Sequence, residues 1–260
     1  MAVTHFIQTI WSKKILDDLE LKCKLVDNCL REYEGDCKYA QSVKILGVGE
    51  PTIGAYDGTK DITIEDMNDK SQILTIDQAN YFAFFVDDVD KAQSVPGLPE
   101  KYQEKAVHGL AVARDTYVAD LIAGATNKTT VTMTEEGFKK GIDDAIVALR
   151  ERNFDEEGVI EITPAGYALF KNHLITLSTN NPEYIKKGIV GVYDNMNVIM
   201  SNNLKTPGCV RGKKAIAFAG QIHEVEAMRA EKRFKDIVRG LDTFGAKVID
   251  EARIQVLVTA

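Results

Sequence analysis

Cysteine, histidine and tryptophan are scarce in this sequence, and long apolar runs are missing. The 260 residues include four cysteines, four histidines and one tryptophan. Cys23, Cys29, Cys37 and Cys209 never form a CxxC pair, which argues against zinc ribbons and thioredoxin-like redox sites. They read as four free thiols in a reducing compartment. His5, His108, His173 and His223 are scattered, with no HExxH pair to hold zinc. His108, in the middle of a helical stretch, reads as a hydrogen-bonded packing residue. No GxSxG elbow occurs, and no cysteine sits in a nucleophile signature. No apolar run approaches the roughly 20 residues that span a bilayer, and charges interrupt the N-terminal pattern where a signal peptide needs a continuous apolar block. A basic excess is absent too. With 32 basic against 39 acidic side chains the net charge is −7, unlike a generic nucleic-acid binder. No cofactor, metal or membrane association is expected from this inventory.

What is present is an ordinary globular composition, 45% hydrophobic and 27% charged, in a chain long enough to bury a core without staples. Ile7, Trp11, Ile15 and Leu19 recur at helical spacing and form an apolar stripe that needs either the chain's own core or a neighbouring subunit to pack against. "SVKILGV" alternates as a strand, and "SQILTIDQANYFAFFVDDVD" alternates in two short pieces. The polar, glycine- and aspartate-rich stretch between them is long for a connection inside a compact domain. Arms at 43–48 and 73–86 around such a tip predict a projecting two-stranded ribbon, which needs another surface to rest on.

After Pro96, Leu98, Tyr102, Ala106, Leu110, Ala113, Tyr117, Leu121 and Gly124 mark a helix about 40 Å long, with Val107, Ala111, Val118 and Ile122 widening its buried face. "TEEGFKKGIDDAIVALRERN" predicts a helix capped by Thr134, "GVIEIT" a buried strand, and Thr163–Pro164 the start of another helix. "GIVGVYDNMNVIMSNNL" is strand-like with a turn at Asp194 and Asn195, and "AIAFAG" is a strand. Residues 221–230 fit a helix or a strand. Phe234, Ile237, Val238 and Leu241 fall at helical spacing up to Gly245, and Ile254, Val256 and Val258 close the chain as a strand. This interleaving predicts an α+β fold rather than repeated βαβ units.

The strongest enzymatic lead is "VKILGVGEPTIGAYDG", with Gly47, Gly49 and Gly54 after a strand. A dinucleotide fingerprint needs a third glycine where Thr52 stands, and a phosphate cradle needs a helix where a turn-rich stretch follows. No Gly-Lys-Ser/Thr ends the stretch as a Walker loop would. Paired acids Asp87–Asp88, Asp143–Asp144 and Glu156–Glu157 are common at turns and helix starts. The glycines therefore read as bends in a ribbon.

Taken in order, "MAVTHFIQTIWSKKILDDLE", "YEGDCKYAQSVKILGVGEPTIGAYDG", "FFVDDVDKAQS", "EKRFKDIVRGLDTFGAKVI" and the strand ending in "SNN" carry a resemblance along essentially the whole chain. The chain resembles the major capsid proteins of tailed bacteriophages and prophages, which share the Hong Kong 97-type fold. The resemblance implies an N-arm over 1–37, an E-loop over 38–78 and a peripheral domain with its spine helix over 79–131. It further implies an axial domain over 132–206, return strands of the peripheral domain over 207–230, and a C-terminal helix and strand of the axial domain over 231–260. Residues 221–230 would then be a strand.

By the same resemblance the chain is a non-enzymatic subunit. It would self-assemble into the icosahedral shell of a virion, procapsid and then capsid, in the host cytoplasm, with inter-subunit contacts at Phe6, Trp11, Ile45, Gly49, Tyr56, Asp57, Lys60, Asp61, Glu65 and Asp66. Implied partners are copies of itself in pentamers and hexamers, a portal protein and packaged DNA. The long N-terminal scaffolding segment of some members is not seen, which points to a separate scaffolding protein or none. Lys60 lacks the motif of covalently crosslinking members and reads as a solvated loop residue. Two rivals are an encapsulin-type protein compartment and a cytosolic nucleotide-binding enzyme using Gly47 and Gly49; a third is a monomeric α+β binding module.

Overall fold

The computed structural model describes residues 23–34, 42–48, 69–87, 98–177, 191–222, 226–229 and 235–259. Strands β1 (Ser42–Val48) and β2 (Asp69–Thr75) pair antiparallel from Ser42↔Thr75 to Val48↔Asp69. The predicted ribbon is therefore present, but its second arm is residues 69–75 rather than 73–86. Strand β3 (Gln78–Asp87) leaves the ribbon and pairs with β11 (Lys235–Val248), which also pairs with β9 (Ile216–Ile222) and β10 (Glu226–Arg229). Residues 226–229 are thus strand, which decides the open alternative there.

Helix α1 (Leu98–Ala123) lies on this four-stranded sheet. Its most buried row is the expected second row, Val107, Ala111, Val118 and Ile122, while Tyr102 stays 44% exposed. The apolar rows straddle two buried charges, Arg114 and Asp115. Arg114 donates to Asp242 through Nε at 2.9 Å and stacks over Phe218 and Phe244, so its charge is compensated inside the core. His108 is exposed, which corrects the packing role expected of it: it falls on the helix face turned away from the sheet.

The six-stranded sheet runs β4 (Lys128–Val131), β12 (Ile254–Thr259), β8 (Gly208–Gly212), β5 (Gly158–Ile162), β7 (Met196–Met200), β6 (Val192–Tyr193). One face carries helices α2 (Glu135–Arg150) and α3 (Pro164–Leu177), with Phe138, Ile142, Leu149 and Phe170 packed on Ile160, Ile162, Val210 and Leu257. The other face turns Cys209, Ile254 and Val256 into the α1 core. Sandwiched on both sides, every residue of β5 and β8 is buried. Thr134 caps α2, accepting from the Gly137 N–H at 3.2 Å. Asp194 and Asn195, with φ of 48° and 64°, make the tight β6–β7 turn that the sequence predicts.

Residues 235–248 correct the expected C-terminal helix. Apolar residues there fit a 3.6-residue period, but the chain runs as a strand because its two faces meet different surroundings: Val238, Asp242 and Phe244 face α1, and Leu241 faces outward. Sheet membership also departs from the expected divisions. Residues 128–131 and 208–212 pair within the six-stranded sheet, not with β3 and β11.

Candidate assembly surfaces

Two features stand apart from the closed cores: the ribbon and one sheet face left uncovered among the described residues. The ribbon is rooted. Val43, Ile45 and Leu74 are buried against Ala217 and Ala219 of β9, with Tyr33, Ile76 and Ile249 at the margin. Gln72 Nε2 donates to the Ile249 carbonyl at 2.9 Å, and Lys247 Nζ to the Ile73 carbonyl at 2.9 Å. Gly245 lets β2 leave closely over β11, since a Cβ there would sit 2.0 Å from the Thr75 carbonyl oxygen. Gly47 is a strand residue paired with Lys70, so it belongs to an antiparallel arm, while Gly49 and Gly54 lie outside the described residues.

The uncovered face is the outer side of β3, β11 and β10. In an antiparallel ladder, paired residues share a face. The pairs Tyr81↔Leu241, Ala83↔Arg239 and Phe85↔Ile237, continued by Arg239↔Glu226 and Ile237↔Met228, therefore form one surface. Tyr81 is 80% and Phe85 65% exposed, with Met228 and Leu241 exposed beside them. Arg239 donates from Nε to Glu226 at 2.7 Å at its centre, and a cavity of about 570 Å³ opens over Tyr81, Ala83, Glu226, Arg239 and Leu241. Tyr81 and Phe85, either side of Ala83 on this face, join Met228 and Leu241 in an exposed apolar patch of the kind that marks interaction surfaces. The alternation of "QANYFAFF" held that signal, but the sequence alone could not say which side would be covered.

Of the residues expected at inter-subunit contacts, Ile45 is 3% exposed and belongs to the chain's own core, so its side chain is not available to a neighbour. Phe6, Trp11, Gly49, Tyr56, Asp57, Lys60, Asp61, Glu65 and Asp66 lie outside the described residues, as does Cys37.

The chemistry elsewhere is that of packing and ion pairs. Burial pushes the thiol of Cys23 up to about 12 and that of Cys29 to about 11, and raises Cys209 as well, so these thiols stay protonated and unreactive. Among the paired acids, Asp143 pairs with Lys139 and accepts from the Tyr193 hydroxyl at 2.7 Å, Glu156 pairs with Arg253, and Glu157 with Lys213. Among the described residues no group of three or more His, Cys, Asp or Glu is placed to hold a metal ion, and no helix is long and apolar enough to cross a membrane.

No family model matches the sequence, and no curated protein matches it. Solved structures do. A chain of Mycobacterium phage Che8 superposes with a TM-score of 0.77 at 23% identity, covering 90% of each chain. A chain of the capsid of cyanophage P-SCSP1u gives 0.72 at 16% identity, covering 89% of this chain and 86% of that one. A virus-like particle from Pyrococcus furiosus gives 0.62 at 14% identity, covering 96% and 98%. The protein has the mixed helix-and-sheet fold of phage capsid chains.

Proposed function

We propose that this chain is a major capsid protein, a structural and non-enzymatic subunit that assembles with copies of itself into the icosahedral shell of a tailed phage or prophage. The observation that carries this reading is the likeness to the Che8 chain over 90% of both chains, joined by the cyanophage capsid. Fold alone does not assign function, and the surfaces supply the second argument. The ribbon is firmly rooted in its own subunit through Val43, Ile45 and Leu74. The Tyr81–Phe85 face has no cover within the described residues.

A second copy of the chain is the occupant that completes both features. In this reading residues 1–37 are an N-arm and 38–78 an E-loop that grip neighbours through Phe6, Trp11, Gly49, Tyr56, Asp57, Lys60, Asp61, Glu65 and Asp66. The sheet of β3, β9, β10 and β11 with α1 is the peripheral domain, and the six-stranded sheet with α2 and α3 the axial domain. Repeated heterologous contacts of this kind close by symmetry. A separate scaffolding protein, a portal and packaged DNA complete the set of partners, with assembly in the host cytoplasm and residence in the virion.

The test is electron microscopy and sedimentation of the purified full chain, alone and with its scaffold candidate. Closed shells or capsomer rings are expected. A chain that stays monomeric under every condition overturns the reading. The Pyrococcus particle favours a second reading, a cargo-holding protein compartment, at a lower TM-score than the Che8 and P-SCSP1u chains. Particle contents separate the two: packaged DNA supports the capsid and an enclosed protein the compartment.

A further inference from the structure

Residues 23–30 are held along both backbone edges by buried side chains from other elements. On one edge Asp115 of α1 accepts the N–H groups of Lys24 at 3.0 Å, Leu25 at 3.1 Å and Val26 at 3.3 Å. On the other edge Arg211 of β8 donates to the Asn28 carbonyl at 2.7 Å and the Leu25 carbonyl at 3.0 Å. The same guanidinium holds both oxygens of Glu161 on β5, at 3.0 and 2.7 Å, and neither partner is exposed at all. Past the turn, Leu30 N–H donates to Ile216 O at 2.8 Å and Phe218 N–H to Leu30 O at 2.9 Å, bridging to β9. Asn28 stiffens the turn by donating from Nδ2 to the Lys24 carbonyl at 2.8 Å. Cys23, Leu25, Val26 and Cys29 fill the core beneath it.

We propose that residues 23–30 are a strap coupling α1, the six-stranded sheet and the four-stranded sheet, so that lifting its first residues from Asp115 loosens the Arg211–Glu161 centre and the β9 bridge together. Asp115 and Arg211 grip opposite edges of one turn. If the turn lifts only in part, Arg211 keeps Glu161 but loses both strap carbonyls. Unsatisfied buried donors of a charged group are costly, so the strap leaves as a unit or not at all. A pull on the residues that precede Cys23 is therefore felt in both sheets. The inference concerns the isolated chain and stands whether or not the chain forms shells.

Amide hydrogen exchange on the full-length chain tests it, using Asp115→Asn, Arg211→Lys and the double variant. Asp115→Asn is expected to speed exchange about 10- to 100-fold, not only at 24–26 but also at Phe218 and across the Ile160–Val210 pairing, whose own bonds are untouched. The α2 amides stay unchanged. The double variant is expected to exchange faster than either single variant, by the same factor at 24–26, at Phe218 and across Ile160–Val210, because both grips set the opening free energy of one unit. Acceleration confined to 24–26, acceleration that extends equally to α2, or a double variant that speeds Phe218 and the Ile160–Val210 pairing by different factors would each overturn the strap. If Asp115→Asn does not fold, Asn28→Ala, which removes only the internal stiffening bond, must show the same pattern at smaller amplitude.

Discussion

The two larger sheets of this protein are built from similar strands and treated in opposite ways. In the six-stranded sheet, β5 and β8 are buried on both sides, and even a full ion pair, Arg211–Glu161, is sealed within. In the four-stranded sheet one side packs on α1, while the other shows Tyr81 and Phe85 to solvent around an exposed Arg239–Glu226 pair. The first sheet is complete within one chain. The second leaves one side open among the described residues, and under the proposed function that difference separates residues that hold the fold from residues that serve assembly.

The sharpest way to break the comparison is to remove one half of each ion pair. Arg211→Ala leaves Glu161 buried and alone, and is expected to cost about 3–5 kcal/mol in denaturant unfolding. Replacing both partners with apolar residues, Arg211→Met with Glu161→Leu, should return only part of that loss, since the Leu25 and Asn28 carbonyls still lack their donor. A one-sided variant that unfolds like the unaltered chain would mean the pair is not sealed.

Next in size is the ribbon root. Gly245→Ala places a Cβ against the Thr75 carbonyl, a backbone atom that a side-chain rotation cannot relieve. A loss of roughly 1–3 kcal/mol is expected, with faster limited proteolysis across the ribbon. Unchanged proteolysis would show that β2 is not seated on β11 as described. Thr134→Ala should cost about 1 kcal/mol through the lost cap of α2, a purely local effect on the finished side of the molecule, read from the thermal midpoint.

How far the sequence disclosed this arrangement follows the same divide. α2 was legible because its signals are local: a threonine cap, acids in the first turn and a periodic apolar face. The Asp194–Asn195 turn was legible because few residues besides Asn, Asp and Gly accept positive φ. Residues 235–248 misled because Phe234, Ile237, Val238 and Leu241 satisfy a helical period as well as a strand with two apolar faces. Only the pairing with β3, some 150 residues earlier in the chain, decides between them. The buried charges of α1 were equally hidden. Nothing near Arg114 and Asp115 in the sequence points to their partners, Asp242 and the backbone of 24–26. For the assembly surface, alternation in β3 announced two faces but gave no means of telling which would be left bare.

Arg239→Ala tests the open side. Its partner Glu226 is about half exposed, so water replaces the lost contact, and a change of about 0–1 kcal/mol is expected where the buried pair costs several times more.

The smallest expected effect on stability carries the largest consequence for the proposed role. Tyr81→Ser with Phe85→Ser removes two aromatic rings that make little contact with their own chain, so unfolding of the isolated subunit should shift by about 0.5 kcal/mol or less. If a neighbouring copy covers that face, the same change removes two buried aromatic anchors from every repeated contact of a shell, and assembly should fail or move to much higher protein concentration. Sedimentation of the double variant beside the unaltered chain reads both quantities on one sample. Lost assembly with retained stability identifies the face as an interface. Shells that form as before leave Tyr81 and Phe85 facing solvent in the assembled state too, and the cover must then be sought on the ribbon.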